Sequence, residues 1–240
     1  RVLGLPAGGL LLEDLRPGDC FNDPTNVDMI LAVEAVPCSS PHDNEVFSVF
    51  DFPADRRAPY PGEDQALIDA SGRCLGKMEA YVGASFKESG LDVFTLFPVE
   101  AAWALGDRRV VCSAYDLGFE RLLTSVRSTG GVIPDGFATV WSLTPGECFE
   151  ESYGDLVPIV PCSGPHFGML FESFDLDTPV LSPTIDADVD GFCMDRAETV
   201  FTALELAGLE VFALRWPGPA TWTAGDREVA CAALDITAAS

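Results

Sequence analysis

One unit is written twice in this chain, and that constrains its fold more than any single motif. Leu15-Arg16-Pro17-Gly18-Asp19-Cys20-Phe21 returns as Leu143-Thr144-Pro145-Gly146-Glu147-Cys148-Phe149. Val36-Pro37-Cys38 followed by Pro41-His42 returns as Val160-Pro161-Cys162 followed by Pro165-His166. Trp103 with Gly106-Asp107-Arg108 returns as Trp222 with Gly225-Asp226-Arg227. Each copy holds four cysteines, and the last two lie 38 residues apart in both. Ordered self-similarity of this kind marks a duplicated structural unit. The reading is a short N-terminal segment at 1–8, a first repeat at 9–117, a connection at 118–140 and a second repeat at 141–236. Ser128-Thr129-Gly130-Gly131 and Pro134-Asp135-Gly136 read as turns inside the connection, with a short helix over 119–126 before them.

The cysteines carry the next constraint. Cys20, Cys38, Cys74, Cys112, Cys148, Cys162, Cys193 and Cys231 are even in number and scattered. No two are spaced C-x-x-C, so zinc-knuckle and thioredoxin-type motifs are absent. Such a set in an oxidising compartment forms structural disulfides. Eight cysteines allow 105 connectivities, and identical pairing inside each repeat leaves three. The preferred set is Cys20–Cys38, Cys74–Cys112, Cys148–Cys162 and Cys193–Cys231. The first two cysteines of a copy sit on consecutive strand-like segments, and the last two suit a cross-linked helix and strand.

Charge removes whole classes of partner. The 240 residues carry 38 Asp and Glu against 14 Lys and Arg, a formal net charge of −24. Nucleic acid needs a basic face and is excluded, and attraction to an anionic membrane surface is disfavoured for the same reason. At 48% hydrophobic the chain is nevertheless a folded one. It starts at Arg1 and has no run of 18 apolar residues. That suits a mature or truncated ectodomain whose anchor lies outside this sequence.

Periodicity gives the same element order twice. Strands are expected at 18–21, 29–38 and 45–52, the last with Val46, Ser48, Phe50 and Phe52 on one face. A helix is expected over 64–82, with Leu67, Cys74, Met78 and Tyr81 on one side. Strands at 93–97 and 108–115 close the unit across a Gly106-Asp107 turn. The second helix is placed at 192–207. The fold class is α+β: two tandem repeats, each a mainly antiparallel sheet with one helix, stapled by two disulfides.

The repeated residues are the candidate sites. His42 and His166 are the only histidines and share one repeat position. A catalytic or ligating histidine needs an orienting carboxylate or a nucleophile beside it. Asp43 and Glu45 follow His42, whereas Phe167 and Met169 stand at those places after His166. Any site of this kind therefore belongs to the first copy, and the architectural alternative is an imidazole bonded across the turn. Trp103 and Trp222 are candidate ligand contacts, with packing over the sheet as the alternative. Asp186, Asp188, Asp190 and Gly191 open like a D-x-D-x-D-G calcium loop. Its closing Glu is missing, since Ala197 stands there and Glu198 comes one place late. Acids at a helix start give the same string without calcium. There is no nucleophile elbow, P-loop, dinucleotide fingerprint or H-E-x-x-H, and no motif calls for a cofactor.

Gly18-Asp19-Cys20-Phe21, then Val36-Pro37-Cys38 with Pro41-His42-Asp43 and Glu45-Val46-Phe47, then the helical Cys74, then Trp103, Gly106-Asp107-Arg108 and Cys112, resembles the septum formation-related domain of actinobacterial envelope proteins. The second copy keeps the cysteines, Pro165-His166, Trp222 and Gly225-Asp226-Arg227, and loses the acidic Glu-Val-Phe portion. The resemblance implies an extracytoplasmic domain behind a membrane or lipid anchor, with a link to cell division. It transfers no catalytic residue. The functional expectation is a non-enzymatic binding module for another envelope protein or glycan, in the manner of an accessory subunit of a membrane complex. The alternatives are a hydrolase of envelope polymers using carboxylates and His42, and a calcium-dependent adhesion module.

Overall fold

The computed structural model describes residues 9–23, 32–118, 120–151 and 154–235. Of the expected features, the 1–8 segment, residues 29–31 of the second strand, Phe119 and residue 236 lie outside these stretches. The chain divides into two compact units, 1–132 and 133–240. Residues 118–140, read as a connection, are shared between them: those up to 132 belong to the first unit, and those from 133 belong to the second.

The first unit contains β1 (Gly9–Leu11), β2 (Cys20–Asn22), β3 (Ala32–Val36), β4 (Asn44–Asp51), α1 (Glu63–Val82), α2 (Phe86–Ser89), β5 (Leu91–Leu96), α3 (Glu100–Ala104) and β6 (Arg109–Asp116). The second contains β7 (Phe137–Thr139), β8 (Cys148–Phe149), β9 (Leu156–Val160), β10 (Gly168–Asp175), α4 (Ile185–Val200), α5 (Ala203–Leu206), β11 (Leu209–Arg215), α6 (Pro219–Thr223) and β12 (Glu228–Asp235). The sheets run β1-β3-β2-β4-β6-β5 and, in the same sense, β7-β9-β8-β10-β12-β11. All the strand pairs are antiparallel. The fold is α+β, with one long and two short α-helices in each unit among the described residues rather than a single helix, and a 3-10 turn over Leu12–Asp14 besides in the first. One of the short helices, α3 or α6, stands where a bare Gly-Asp turn was expected.

Each long helix buries an i, i+4 ridge, and the helical cysteine is its third member. Ala66, Ala70, Cys74, Met78 and Val82 form it in α1, and Ile185, Val189, Cys193 and Ala197 in α4. Residues four apart stack on one helix face, so each ridge lies along the sheet. Leu67 lies off the ridge and is exposed. The helix α4 begins at Ile185, seven residues before the expected start. The helix runs through Gly191, since an internal glycine costs only about 1 kcal/mol. Asp186 and Asp188 in the first turn favour the earlier start.

The ridge cysteines bond to β6 and β12, the strands next to one sheet edge, Cys74 to Cys112 and Cys193 to Cys231. Cys20–Cys38 ties β2 to the end of its neighbour β3, and Cys148–Cys162 ties β8 to the end of β9. Strict alternation fails in β4, because Phe47 is an extra residue between Val46↔Ser113 and Ser48↔Cys112. After that bulge Phe50 and Phe52 join Phe47 on the helix side, while Val46 and Val49 pack on the other face. Phe171 makes the same bulge in β10. The second face of the first sheet gathers Leu10, Phe21, Val33, Val46, Leu96 and Val111 into one cluster. Both edge strands contribute to it, so the sheet must curl toward closure.

Candidate functional site

The repeated Trp and Gly-Asp-Arg build a clamp. In the first unit the Arg108 guanidinium stacks 3.7 Å from the Trp103 ring centroid. Arg108 Nη1 donates to the carbonyls of Trp103 (2.8 Å) and Asp107 (2.6 Å). Its Nη2 donates to the carbonyls of Asp55 (3.0 Å) and Arg56 (2.9 Å). Trp103 Nε1 donates to the Ala58 carbonyl at 2.8 Å, and Phe52 and Tyr60 meet its ring edge-on. The loop from Phe52 to Gly62 is thus fixed through its backbone. Arg108 is only 5% exposed and forms no ion pair among the described residues.

Beside the clamp lies a hollow of about 670 Å³, lined in part by Asp51, Phe52, Arg56, Leu105, Asp107 and Arg108. The exposed Arg56 side chain lies across Gly106. That residue has φ +91°, and a Cβ added there would fall 2.9 Å from Arg56 Nε. The positive φ is what calls for glycine there, and the missing Cβ lets Arg56 lie close. Among the described residues the Arg56 guanidinium makes no hydrogen bond and no ion pair. Arg56, Asp51 and Leu105 were not among the sequence candidates. A signal was present: the connection after β4 holds Arg56-Arg57, while the shorter one after β10 has no basic residue.

The second clamp keeps the stack but not the closure. Arg227 lies 3.6 Å from the Trp222 ring centroid and donates to the carbonyls of Trp222 (2.9 Å) and Asp226 (2.6 Å). Neither side chain hydrogen-bonds to residues 176–184 among the described residues. Both stay half-buried.

The histidine turns are alike in local form. His42 Nδ1 lies 2.8 Å from the Ser40 carbonyl, and His166 Nδ1 lies 2.9 Å from the Gly164 carbonyl, so each ring bonds back across its turn. Their surroundings differ. A strap, residues 120–132, passes over the first turn, and His42 and Leu122 exchange two backbone hydrogen bonds of 2.9 Å. This extended pairing stands where a helix over 119–126 was expected. His42 is fully buried, and its Nε2 has no hydrogen-bond partner. His166 is half-buried.

Glu45 is also fully buried. It accepts from Tyr81 Oη (2.6 Å) and Ser125 Oγ (2.7 Å) at Oε1, and from the Val126 N–H (2.8 Å) at Oε2. Burial, then the bond to Glu45, pushes the Tyr81 hydroxyl up to about 12. Asp43 pairs with Arg121 at 3.0 Å on the same strap. The three candidates His42, Asp43 and Glu45 thus hold the strap to the sheet. Glu45 lies within 4.8 Å of both sulfurs of Cys20–Cys38, but those sulfurs are bonded to each other.

Asp186, Asp188 and Asp190 do not converge. Asp186 accepts from Trp216 Nε1 (2.6 Å), Asp188 from Thr184 Oγ1 (2.6 Å) and Asp190 from the Ala213 N–H (2.9 Å). Lying on the opening turns of a helix, side chains two apart diverge by about 200°.

No curated protein and no solved structure matches the chain. A family model described as Septum formation does, in one match over residues 17–231 that runs through both units. No helix among the described residues is long and apolar enough to cross a membrane. Four disulfides together with this match fit an extracytoplasmic protein of the cell envelope. With about nine tenths of its length covered by that model, the chain belongs to the septum formation family.

Proposed function

We propose that this chain is a non-catalytic binding module of the envelope, an accessory component that recognises another envelope protein or glycan through its first unit. The observation that carries the reading is Arg56. In a chain of net charge −24 it has no ion pair among the described residues, and its backbone carbonyl is tied beside an open hollow by a clamp that, among those residues, closes over its loop in the first unit alone. A cation that no acid takes among the described residues is free for a ligand. Burial of His42 supports a non-catalytic role, because a general base must reach its proton.

The test is photo-crosslinking in intact host cells. A photoreactive residue is placed at Leu105, on the hollow, and in a second strain at Ala224, its counterpart. A discrete adduct at 105 and none at 224 is the expected result. Adducts of equal yield at both positions, or at neither, would overturn recognition by the first unit.

A further inference from the structure

The hollow's wall defines the chemistry of what it can hold. Arg56 presents a planar fork of unengaged N–H groups, the geometry that takes a carboxylate in two parallel bonds. The Arg56 backbone is tied by Arg108 through its carbonyl, and its guanidinium lies close over Gly106. Arg108 adds a buried positive charge that no carboxylate neutralises, although its N–H groups face loop carbonyls rather than the hollow. Against these stand Asp51 and Asp107, both exposed, on the same wall. Asp107 Oδ1 accepts from the Arg109 N–H at 2.9 Å, and its second oxygen carries no hydrogen bond among the described residues. Phe52 and Leu105 supply apolar surface between the charged groups, and Leu105 is 86% exposed.

Two carboxylates and a net charge of −24 oppose a polyanion such as a phosphate polymer. A lone cation would leave Arg56 unanswered. The ligand that satisfies both signs carries an anionic and a cationic group on a small apolar frame. A volume of about 670 Å³ suits a short peptide. From this juxtaposition we infer that the hollow of the first unit binds a short zwitterionic peptide, its carboxylate on Arg56 and its ammonium between Asp51 and Asp107. The inference rests on the binding-module reading and names the ligand class of that same site. At the matching places the second unit has Asp175 and a buried Asp226, with no arginine in its loop.

The experiment is a titration of the whole oxidised chain with trialanine, followed by backbone amide shifts, alongside its C-terminal amide and its N-acetyl form. Shifts are expected around Arg56 and Gly106 and not around Gly225. Amidation, or Arg56→Ala, should each raise Kd by about tenfold. Asp51→Asn combined with Asp107→Asn should weaken trialanine and leave the N-acetyl form unchanged. Arg57→Ala serves as the control that keeps binding. All four substituted side chains are exposed, so the fold tolerates the changes, and an unchanged spectrum of the free protein checks this. Equal binding of the amide, or no shifts at roughly 10 mM peptide, overturns the inference. A protein adduct at position 105 with no peptide binding would leave the module reading standing and remove this one.

Discussion

The two units share a frame and differ in what is laid over it. Sheet order, bulge, helical ridge and disulfide pairing coincide. Among the described residues, the first unit alone holds a covering segment by a buried carboxylate, and there alone is the loop sewn to the arginine clamp. Met169 stands at the place of Glu45, and the two loops differ in length and charge. Shared residues thus set the architecture, and the residues that part company between copies decide what covers it.

The largest effect tests the shared frame. Serine at both Cys74 and Cys112, or at both Cys193 and Cys231, opens a loop of 38 residues in either case. Chain entropy gives about 4 kcal/mol for each. Urea unfolding should show equal losses, and a clear inequality would break the equivalence of the frames.

Glu45→Ala comes next and should separate the units. It strands the Val126 N–H and two hydroxyls beneath the strap, at a cost of about 3 kcal/mol. Met169→Ala, at a half-buried site, should cost about 1 kcal/mol. Hydrogen exchange at Leu122 and Val126 should rise in the first variant only. Arg108→Ala should cost about 2 kcal/mol by freeing loop carbonyls, against less than about 1 kcal/mol for Arg227→Ala. Equal costs would show that loop attachment contributes nothing to the clamp.

The smallest effect is a pH dependence confined to the first unit. Tyr81 has its hydroxyl raised to about 12 by burial and by its bond to Glu45. The folded state thus favours the neutral phenol. That stability is complete below the unfolded value near 10 and is lost as pH rises from there through about 12. Val200 occupies the matching place on α4, seven residues after its cysteine. Denaturation of the first unit should steepen across this window and flatten in Tyr81→Phe, with the second unit unaffected.

Much of this was legible in the sequence because it is local or repeated. The cysteine spacing, the Trp with Gly-Asp-Arg and the strand order need only one copy laid on the other. What escaped depends on contacts far apart in the chain. Whether Glu45 is a reactive acid or a tether depends on Ser125 and Val126, about eighty residues away. Alternation in β4 predicted the wrong face for Val46 because a bulge inserts one residue without any glycine to announce it. Leu67 satisfied helical spacing but lies beside the i, i+4 ridge rather than on it. The string Asp186 to Asp190 matched the opening of a calcium loop but lacked its closing Glu and suited a helix start better, and the partners of each side chain agree with the latter. Arg56 was overlooked because its meaning lies in having no partner.

The disulfides also bear on how such a chain would respond to tension. They close loops spanning 18, 38, 14 and 38 residues. Pulled from its ends, the oxidised chain cannot pay out those segments even after every strand has separated. At about 3.4 Å per residue they withhold roughly 370 Å of contour length. An oxidised chain stays short even when unfolded, and reduction would lengthen its full reach by more than half again.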